Sequence, residues 1–499
     1  MLYVVVAFNY LRLHIQTDLK VNRKTIIALL SVLLAFTASG QTRWTLESCI
    51  ARAFEKNISI KQSQLNVDLA EINQKNAMGN LLPSLNGQAS HGYNWGQRID
   101  PFTNQFATER IRSNSFGIST SVNLFSGFQA RNSLEQAHID VMASRLNNEK
   151  ARNDIALNIA SLYLAILMNQ EMVTIARSNS DNTGNQAKRI TILVNAGQLA
   201  QNNLDDINAQ MASDQATLVQ AENTYNLSVL NLAQQLQLTS EETSTFRISS
   251  PDLSAVQSAS LPPSAEAAVQ YSLTHFPEMK SAEYNMQSAD VGVEIAKGAA
   301  LPSLSASFSY GTGYSGAASQ VIGDPDFEVF PIGLVQATGD VVVSAQPIYG
   351  ENDFETISFA DQLTDNVNKS LFFSLNIPIF NGFSTESNIK RSEVNRLSAE
   401  YSLEATSQTL RQSVERAYAD ALAAKANYDA SNKAVEASER AFRNSESRYE
   451  QGAATQVEYS DARTRLDNAK VNSLNNKYDY LFRLRVLEFY EGRAITLNP

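Results

Sequence analysis

The chain has few of the residues on which metal and nucleophile chemistry depend. Its 499 residues contain four His and one Cys, which leave little for metal chemistry or for a nucleophile with its base and orienting group. Positive charge is also scarce, since 40 Lys and Arg stand against 51 Asp and Glu for a net charge of -11. A basic face for nucleic acid is therefore not expected. The composition argues against an enzyme and predicts no cofactor, no metal site and no nucleic-acid partner.

Proline and glycine are nearly missing from two long stretches. From Ser126 to Asn195 there is no proline and, besides Gly127, one glycine, Gly184, and from Ser384 to Gln451 there is neither. Each stretch predicts a helix on the order of 100 Å long, more than the core of one globular domain requires. Apolar residues step by four and three, as in a coiled-coil seam: Ile155, Ile159, Leu162 and Ile166 in the first stretch, and Leu410, Val414, Ala417, Ala421, Ala424 and Tyr428 in the second.

These stretches belong to two copies of one unit. Phe125-Ser126-Gly127-Phe128 returns 255 positions later as Phe380-Asn381-Gly382-Phe383, and Leu82-Pro83-Ser84-Leu85 returns 219 positions later as Leu301-Pro302-Ser303-Leu304. The difference between the offsets indicates an insertion of 36 residues between the two motifs of the second copy. A repeat of this length is a duplicated structural unit, and each copy is expected to run helix, strand, strand, long helix, helix.

The same order predicts the boundaries along the chain. Lys20, Arg23 and Lys24 precede an apolar run, Ile26–Phe36, and small residues, which is typical of a signal peptide. Cys49 is expected to be a buried helix residue rather than a lipid anchor. The boundaries are a signal peptide with a doubtful upstream extension at 1–40, copy 1 at 41–238 with one helix from Thr45 to about Gly79, a linker at 239–263, copy 2 at 264–492 and a tail at 493–499.

Two segments of each copy alternate between apolar and small polar side chains, which predicts four strands of about ten residues. The apolar positions are Leu85, Ala89, Tyr93 and Trp95; Phe116, Ile118, Val122 and Leu124; Leu304, Ala306, Phe308 and Tyr310; and Leu371, Phe373, Leu375, Ile377 and Ile379. A soluble sandwich would bury the apolar face, whereas a transmembrane barrel would turn it to lipid. Aromatic residues near strand ends, Phe372 among them, suit the girdles of a barrel. Four strands cannot close a barrel, so a membrane location requires several chains.

In this order and spacing the chain resembles the TolC family of outer-membrane efflux proteins, from Trp44 to about Tyr490. The resemblance is carried by the duplication, the two motifs above and Tyr449-Glu450-Gln451-Gly452 followed by Glu458 and Asp461. It implies an α+β membrane protein in the outer membrane. The family is a homotrimer whose twelve-stranded β-barrel, four strands per chain, continues as a periplasmic α-helical coiled-coil barrel.

The resemblance further implies the exit duct of a tripartite efflux system, with a periplasmic adaptor (membrane-fusion) protein and an inner-membrane pump as partners. Two alternatives stay open. Type I protein secretion uses the same kind of duct. A non-channel periplasmic coiled-coil scaffold would instead pack the strands as a soluble sandwich.

The resemblance also implies where the functional residues lie. Glu458 and Asp461 fall where the family lines the narrow end of its tunnel with acids, and their counterparts in copy 1 are Asn203 and Asp206. A solvated helix face explains the same charges more simply. Ala454 stands where the family often has a basic residue, so a gate lock of that kind is in doubt. The adaptor-docking hairpin tips are Gly197, Tyr449 and Gly452, and the strand–helix turns are Pro83, Gly127, Pro302 and Gly382.

The insertion, about residues 311–366, connects the two strands of copy 2 and is expected to form an extracellular loop. It is acidic but lacks the spacing of an EF-hand, so calcium binding is not expected. Its first residues, Gly311-Thr312-Gly313-Tyr314, are expected to form a turn.

Overall fold

The computed structural model describes residues 43–496 except 97, 100–103, 105, 108–109, 252–260, 263 and 351–352. The expected signal peptide, part of the linker (residues 252–260 and 263) and the end of the tail lie outside the described residues. The helices are α1 (Leu46–Lys56), α2 (Ile58–Gly79), α3 (Gln129–Asn195), α4 (Gln201–Gln235), α5 (Ser240–Thr245), α6 (Glu266–His275), α7 (Pro277–Gly298), α8 (Phe359–Asp365), α9 (Ser384–Glu450) and α10 (Gln456–Tyr490). The strands are β1 (Ser84–Asn94), β2 (Arg98–Ile99), β3 (Phe106–Ala107), β4 (Ile111–Ser126), β5 (Ser303–Ser315), β6 (Ser319–Val321), β7 (Asp326–Leu334), β8 (Val341–Ile348), β9 (Phe354–Thr356) and β10 (Asn368–Asn376).

The duplication is visible in the lengths of the helices. The long helices α3 and α9 have 67 residues each, and the return helices α4 and α10 have 35 each. The prediction of one helix from Thr45 to Gly79 is wrong, because the chain leaves the helical conformation at Asn57 and starts again at Ile58. The Asn57 side chain there accepts a hydrogen bond from the Ser59 amide (2.9 Å). Copy 2 breaks at the equivalent Phe276, ahead of Pro277, which suits the first turn of a helix.

The chain divides into two compact units, and each draws on both copies. One unit, here the strand unit, comprises residues 61–151 and 269–413. The other, here the hairpin unit, comprises the described residues up to 60, 152–268 and 414 onward.

The strand unit contains a four-stranded antiparallel sheet in the order β1-β4-β5-β10. The four predicted strands are therefore confirmed, and β4–β5 pairing joins copy 1 to copy 2. Three details differ from the predictions. Trp95 lies just beyond β1, and Ile377 and Ile379 lie beyond β10, which ends before Pro378. Residues 311–314 continue β5 rather than forming a turn.

The register puts on one face the predicted apolar positions that lie within the strands, apart from Leu124, which falls in the irregularity between Asn123 and Phe125 of β4. Ala89 pairs with Phe116, which pairs with Thr312, and Phe308 pairs with Leu371. The opposite face carries Ser, Asn, Gln and Gly. Phe372 is a large exception on that polar face, since its neighbour Phe373 takes the apolar one. Phe372 therefore lies on the face opposite to the one that a girdle residue needs, and the expectation for this residue is wrong.

A row of helices follows the order of the strands. α2 contacts α3 through Arg145–Glu71 (2.7 Å), and α3 contacts α7 through Ser288–Asp140 (2.6 Å). α7 and α9 approach at Arg396–Asp290 (3.9 Å). The order α2-α3-α7-α9 leaves α2 and α9 at the two ends, next to the edge strands β1 and β10.

The insertion is more ordered than a simple loop. β7 and β8 form a hairpin, β6 pairs with β9, and α8 packs against β5. The Gln362 side chain, which is buried, accepts from the Ser315 amide (2.8 Å) and donates to the Ser315 carbonyl (3.0 Å). Phe359 contacts the rings of Phe116 and Tyr314.

The hairpin unit has its core where α1, α3, α4 and α10 meet. Its largest fully buried side chains are Tyr163, Tyr480, Phe246, Leu46, Ile159 and Ile166. By length and composition one helix of the described chain, α3, is apolar enough to cross a membrane, yet these α3 side chains belong to the core. Cys49 is buried as expected, and burial raises the pKa of its thiol to about 12. Thr45 caps α1 by accepting from the Ser48 amide (3.2 Å).

Candidate functional site at the ends of the helical hairpins

The two long helices turn back through nearly identical caps. Gly197 and Gly452 have φ of 72° and 73°, a conformation that costs glycine little. The Gln198 amide donates to the Leu193 carbonyl (2.9 Å), and the Ala453 amide donates to the Arg448 carbonyl (2.7 Å), which is the Schellman pattern. A Cβ at either glycine would meet nothing within 4 Å. The backbone conformation, rather than crowding, explains both glycines.

Glu458 is part of the helix cap that follows the second tip. Its carboxylate accepts from the Thr455 amide (2.8 Å), and the Thr455 hydroxyl accepts from the Glu458 amide (3.2 Å), a capping box. The Thr455 amide, and to a smaller degree its hydroxyl, hold the pKa of Glu458 below its usual range. A lowered carboxyl pKa adds stability above the unfolded-state pKa, and this stability is lost as the pH falls through the folded-state value. The cap is therefore intact at neutral pH.

The four predicted constriction residues are not joined to one another within the chain. Asp461 forms an ion pair with Arg465 on its own helix (2.6 Å), and both side chains are exposed. Asp206 is also exposed, and the side-chain amide of Asn203 donates to the Ala200 carbonyl (3.3 Å). Across the described ranges, no group of three or more His, Cys, Asp or Glu side chains is arranged to hold a metal ion.

Tyr449 belongs to an aromatic cluster just above the second tip. Its ring lies 5.0 Å from that of Tyr459, and Phe442 lies 5.5 Å from the same ring. The Tyr459 hydroxyl is hydrogen-bonded to Gln186 of α3. Burial raises the pKa of both tyrosines. The cluster fixes α10 against α9 and α3, and Tyr449 is half-buried in it.

A buried polar network, further from the tips, joins the first helical hairpin (α3 and α4) to the second (α9 and α10). Arg463 of α10 donates to Thr183 (2.6 Å) and to the Asn179 carbonyl (2.9 Å) of α3, and to Asp214 of α4 (3.3 Å). Asp467 adds a second carboxylate at 3.6 Å. Burial raises the pKa of Asp467, and the Arg463 charge opposes that rise.

The sequence analysis missed this network, although a signal was present. One side of α10 is buried and carries Tyr459, Leu466 and Leu474. Arg463 lies on the same buried side, between Tyr459 and Leu466. A charge at a seam position of a helix is expensive unless it is paired. That placement points to partners on neighbouring helices.

The predicted strand–helix turns have repeated backbone conformations. Gly127 and Phe128 have φ of 60° and 64°, and Gly382 and Phe383 have φ of 62° and 65°. Pro83 and Pro302 come directly before β1 and β5. A Cβ on Gly127 would overlap the carbonyl oxygen of Gly298, whereas one on Gly382 would meet nothing within 4 Å. The backbone of copy 1 thus touches copy 2 here, and the equivalent glycine of copy 2 is open.

Comparisons with known proteins agree with this architecture. The family described as "Outer membrane efflux protein" matches residues 49–236 and 268–493. The outer membrane efflux protein BepC of Brucella suis biovar 1 (strain 1330) is 22% identical over 424 residues, which cover 84% of this chain and 79% of BepC.

Solved structures show the same fold. CusC superposes with a TM-score of 0.70 at 16% identity and covers 91% of this chain and 93% of its own. The outer membrane protein VceC of Vibrio cholerae gives 0.69 at 14% identity, with 90% and 96% covered. The resemblance to the TolC family is confirmed. The chain therefore belongs to the outer membrane efflux protein family and is a protein of the outer membrane.

Proposed function

We propose that three copies of the chain close into one outer-membrane channel, which serves as the exit duct of a tripartite efflux system. The strands of the trimer form a twelve-stranded barrel with its apolar face toward lipid. The helices form a periplasmic tunnel that meets an adaptor protein and, through it, an inner-membrane pump. The same duct would serve type I protein secretion, which stays an alternative.

The observation that carries the proposal is the junction between copy 1 and copy 2. The described chain makes this junction in one direction, from copy 1 to copy 2, and leaves the equivalent surfaces for the reverse direction open. β4 of copy 1 pairs with β5 of copy 2, and Gly127 touches Gly298. The equivalent elements, β10 of copy 2 and β1 of copy 1, are edge strands of the sheet. Their glycines, Gly382 and Gly79, are open. A second chain that repeats the junction would pair its β1 with this β10.

The helices at the two ends of the row support the same closure. α2 exposes Leu65, Leu69 and Ile72, and α9 exposes Val394, Leu397 and Tyr401. Within each set the residues are three or four positions apart, so they form a stripe along one side of the helix. An uncovered apolar stripe favours a helical partner.

The number of chains follows from the number of strands. Open sheet edges are not tolerated in hydrocarbon, so the four strands must be joined by others. The smallest transmembrane barrels have about eight strands, and a lumen for solutes needs more. Three chains give the twelve strands that the family resemblance implies.

The test is a cross-link at the predicted register between chains. Ser119 pairs with Ser309, and the two offsets convert this pair into Ser374 of one chain and Ser90 of the next. Ser374→Cys with Ser90→Cys should link under a thiol reagent that spans less than about 10 Å, because directly opposed Cβ atoms are about 5 Å apart. The matched control, Ser374→Cys with Asn86→Cys, is four residues out of register and should not link. Efficient linking of the control, or none of the first pair, would reject the proposed junction.

The two turn glycines give a matched prediction for the same junction. Gly127→Ala forces an overlap with Gly298 inside one chain, in addition to the strain of positive φ. If the junction repeats between chains, Gly382→Ala meets Gly79 of the neighbour and should reduce trimer yield to a similar degree. Trimer and monomer amounts after gentle detergent extraction measure the effect. A Gly382→Ala chain that assembles like wild type would contradict the repeat.

The acidic ends of the tunnel are also proposed to form a constriction. Three copies each of Asp461, Asp206 and Glu458 around one axis would make a negative ring that favours cations. Glu458→Ala with Asp461→Ala should weaken block by multivalent cations in single-channel recordings. Since Glu458→Ala removes one half of the capping box, Thr455→Ala serves as the control, which removes the other half but keeps the charge. Equal loss of block in both would assign the effect to the cap.

A further inference from the structure

Two large apolar side chains lie on the polar face of the sheet, Ile111 at the buried end of β4 and Phe372, and of these only Phe372 is exposed. Along β5 that face carries Ser303, Ser305, Ser307, Ser309, Gly311, Gly313 and Ser315. Along β10 it carries Asn368, Ser370, Phe372, Ser374 and Asn376. The Phe372 side chain is 64% exposed. Its neighbours on the face are small, so its ring is not packed into the sheet.

The register of β10 against β5 fixes the face of the sheet on which Phe372 lies. Phe372 pairs with Ser307 and Phe373 pairs with Ala306. A slip by one residue would exchange the faces of the whole strand and would turn Leu371, Phe373 and Leu375 to the polar side. The position of Phe372 is therefore fixed by the same pattern that defines the apolar face.

The duplication shows that a large side chain at this position is specific to copy 2. In copy 1 the equivalent pair is Gln88 and Gly117, and a Cβ on Gly117 would already contact the Gln88 side chain at 3.4 Å. Copy 1 thus has a long amide on its first strand and glycine on its second. Copy 2 has serine on its first strand and phenylalanine on its second.

We propose that Phe372 is a solute-binding residue of the channel lumen, which takes organic cations that carry apolar or aromatic surface. This rests on the proposed trimeric barrel, in which the polar face lines the lumen. Three phenyl rings, one from each chain, then project into the lumen at one level. Because Gly117 is the equivalent of Phe372 in copy 1, a glycine position lies between each two neighbouring rings. The face of a phenyl ring attracts cations, and its surface offers a contact that the surrounding serines lack.

Single-channel recordings with tetraphenylphosphonium as the probe test this inference. Phe372→Ser, which completes the serine face, should weaken block about two- to fivefold, the range of an exposed cation–π contact. Phe372→Tyr keeps the ring and should retain block. Phe373→Leu, on the opposite face, should leave block unchanged. Block that is equal in wild type and Phe372→Ser would overturn the inference.

Assembly of each variant is measured first, as trimer yield. A Phe372→Ser chain that fails to assemble would also overturn the inference, because the ring would then be a packing residue. As a separate readout, Phe372→Cys should react with a water-soluble thiol reagent and lose conductance, and lack of reaction in conducting trimers would count against it. Wild-type protein that forms no channel would refute the proposed function itself, whereas wild-type channels indifferent to residue 372 refute this inference alone.

Discussion

Arg463→Ala is expected to loosen the two hairpins from each other at a cost of about 3–5 kcal/mol, the usual effect of removing one partner from a buried ion pair. Its side chain is 10% exposed and that of Asp214 is 13% exposed, so the carboxylate left behind would be poorly solvated. The loss of the Arg463 charge should also raise the pKa of Asp467 further, because that charge now opposes the effect of burial.

Hydrogen exchange of the α3, α4 and α10 amides around residues 179, 214 and 463 measures the expected loosening. Arg465→Ala is the matched control, since its ion pair with Asp461 is exposed and such pairs contribute at most about 1 kcal/mol. Equal exchange in the two variants would show that the buried network does not hold the hairpins.

Phe373→Arg is expected to prevent the barrel from assembling. A charged residue on the lipid face costs about 2–4 kcal/mol near the midplane, and a trimer would carry that cost three times. Phe373 is 65% exposed on the apolar face of the sheet. In the proposed barrel an arginine at this position would therefore face lipid. Trimer yield in the outer membrane measures the effect.

Phe372→Arg is the matched control for this prediction, because it makes the same change one residue away on the opposite face. A charge facing a water-filled lumen keeps its hydration, so we expect normal trimer yield. Wild-type yield from Phe373→Arg, or assembly lost only in Phe372→Arg, would mean that the faces are oriented the other way.

Much of the fold could be predicted because its helices and strands have regular sequence patterns. The scarcity of proline and glycine marked α3 and α9, and alternation marked the four strands. The errors occurred where one local contact decides the backbone. The Asn57 side chain caps a new helix, and Pro378 removes a donor from the end of β10. Gly311 and Gly313 are tolerated in a strand because the rest of β5 is paired on both sides.

The candidate site was less predictable, because its interactions join residues far apart in sequence. Glu458 was placed at the correct end of the correct helix, yet its carboxylate completes a cap, which the preceding Thr455 could have indicated. Arg463 meets Thr183 and Asp214 only after two hairpins pack together. The acidic constriction stays a prediction, because it requires several chains around one axis.

The most direct test of the central claim is the native mass of the complex extracted from the outer membrane. We predict a mass three times that of the mature chain, as expected for a ring closed by β10 of each chain on β1 of the next. A stable monomer in membrane extracts would contradict the account, because its sheet would then keep two open edges.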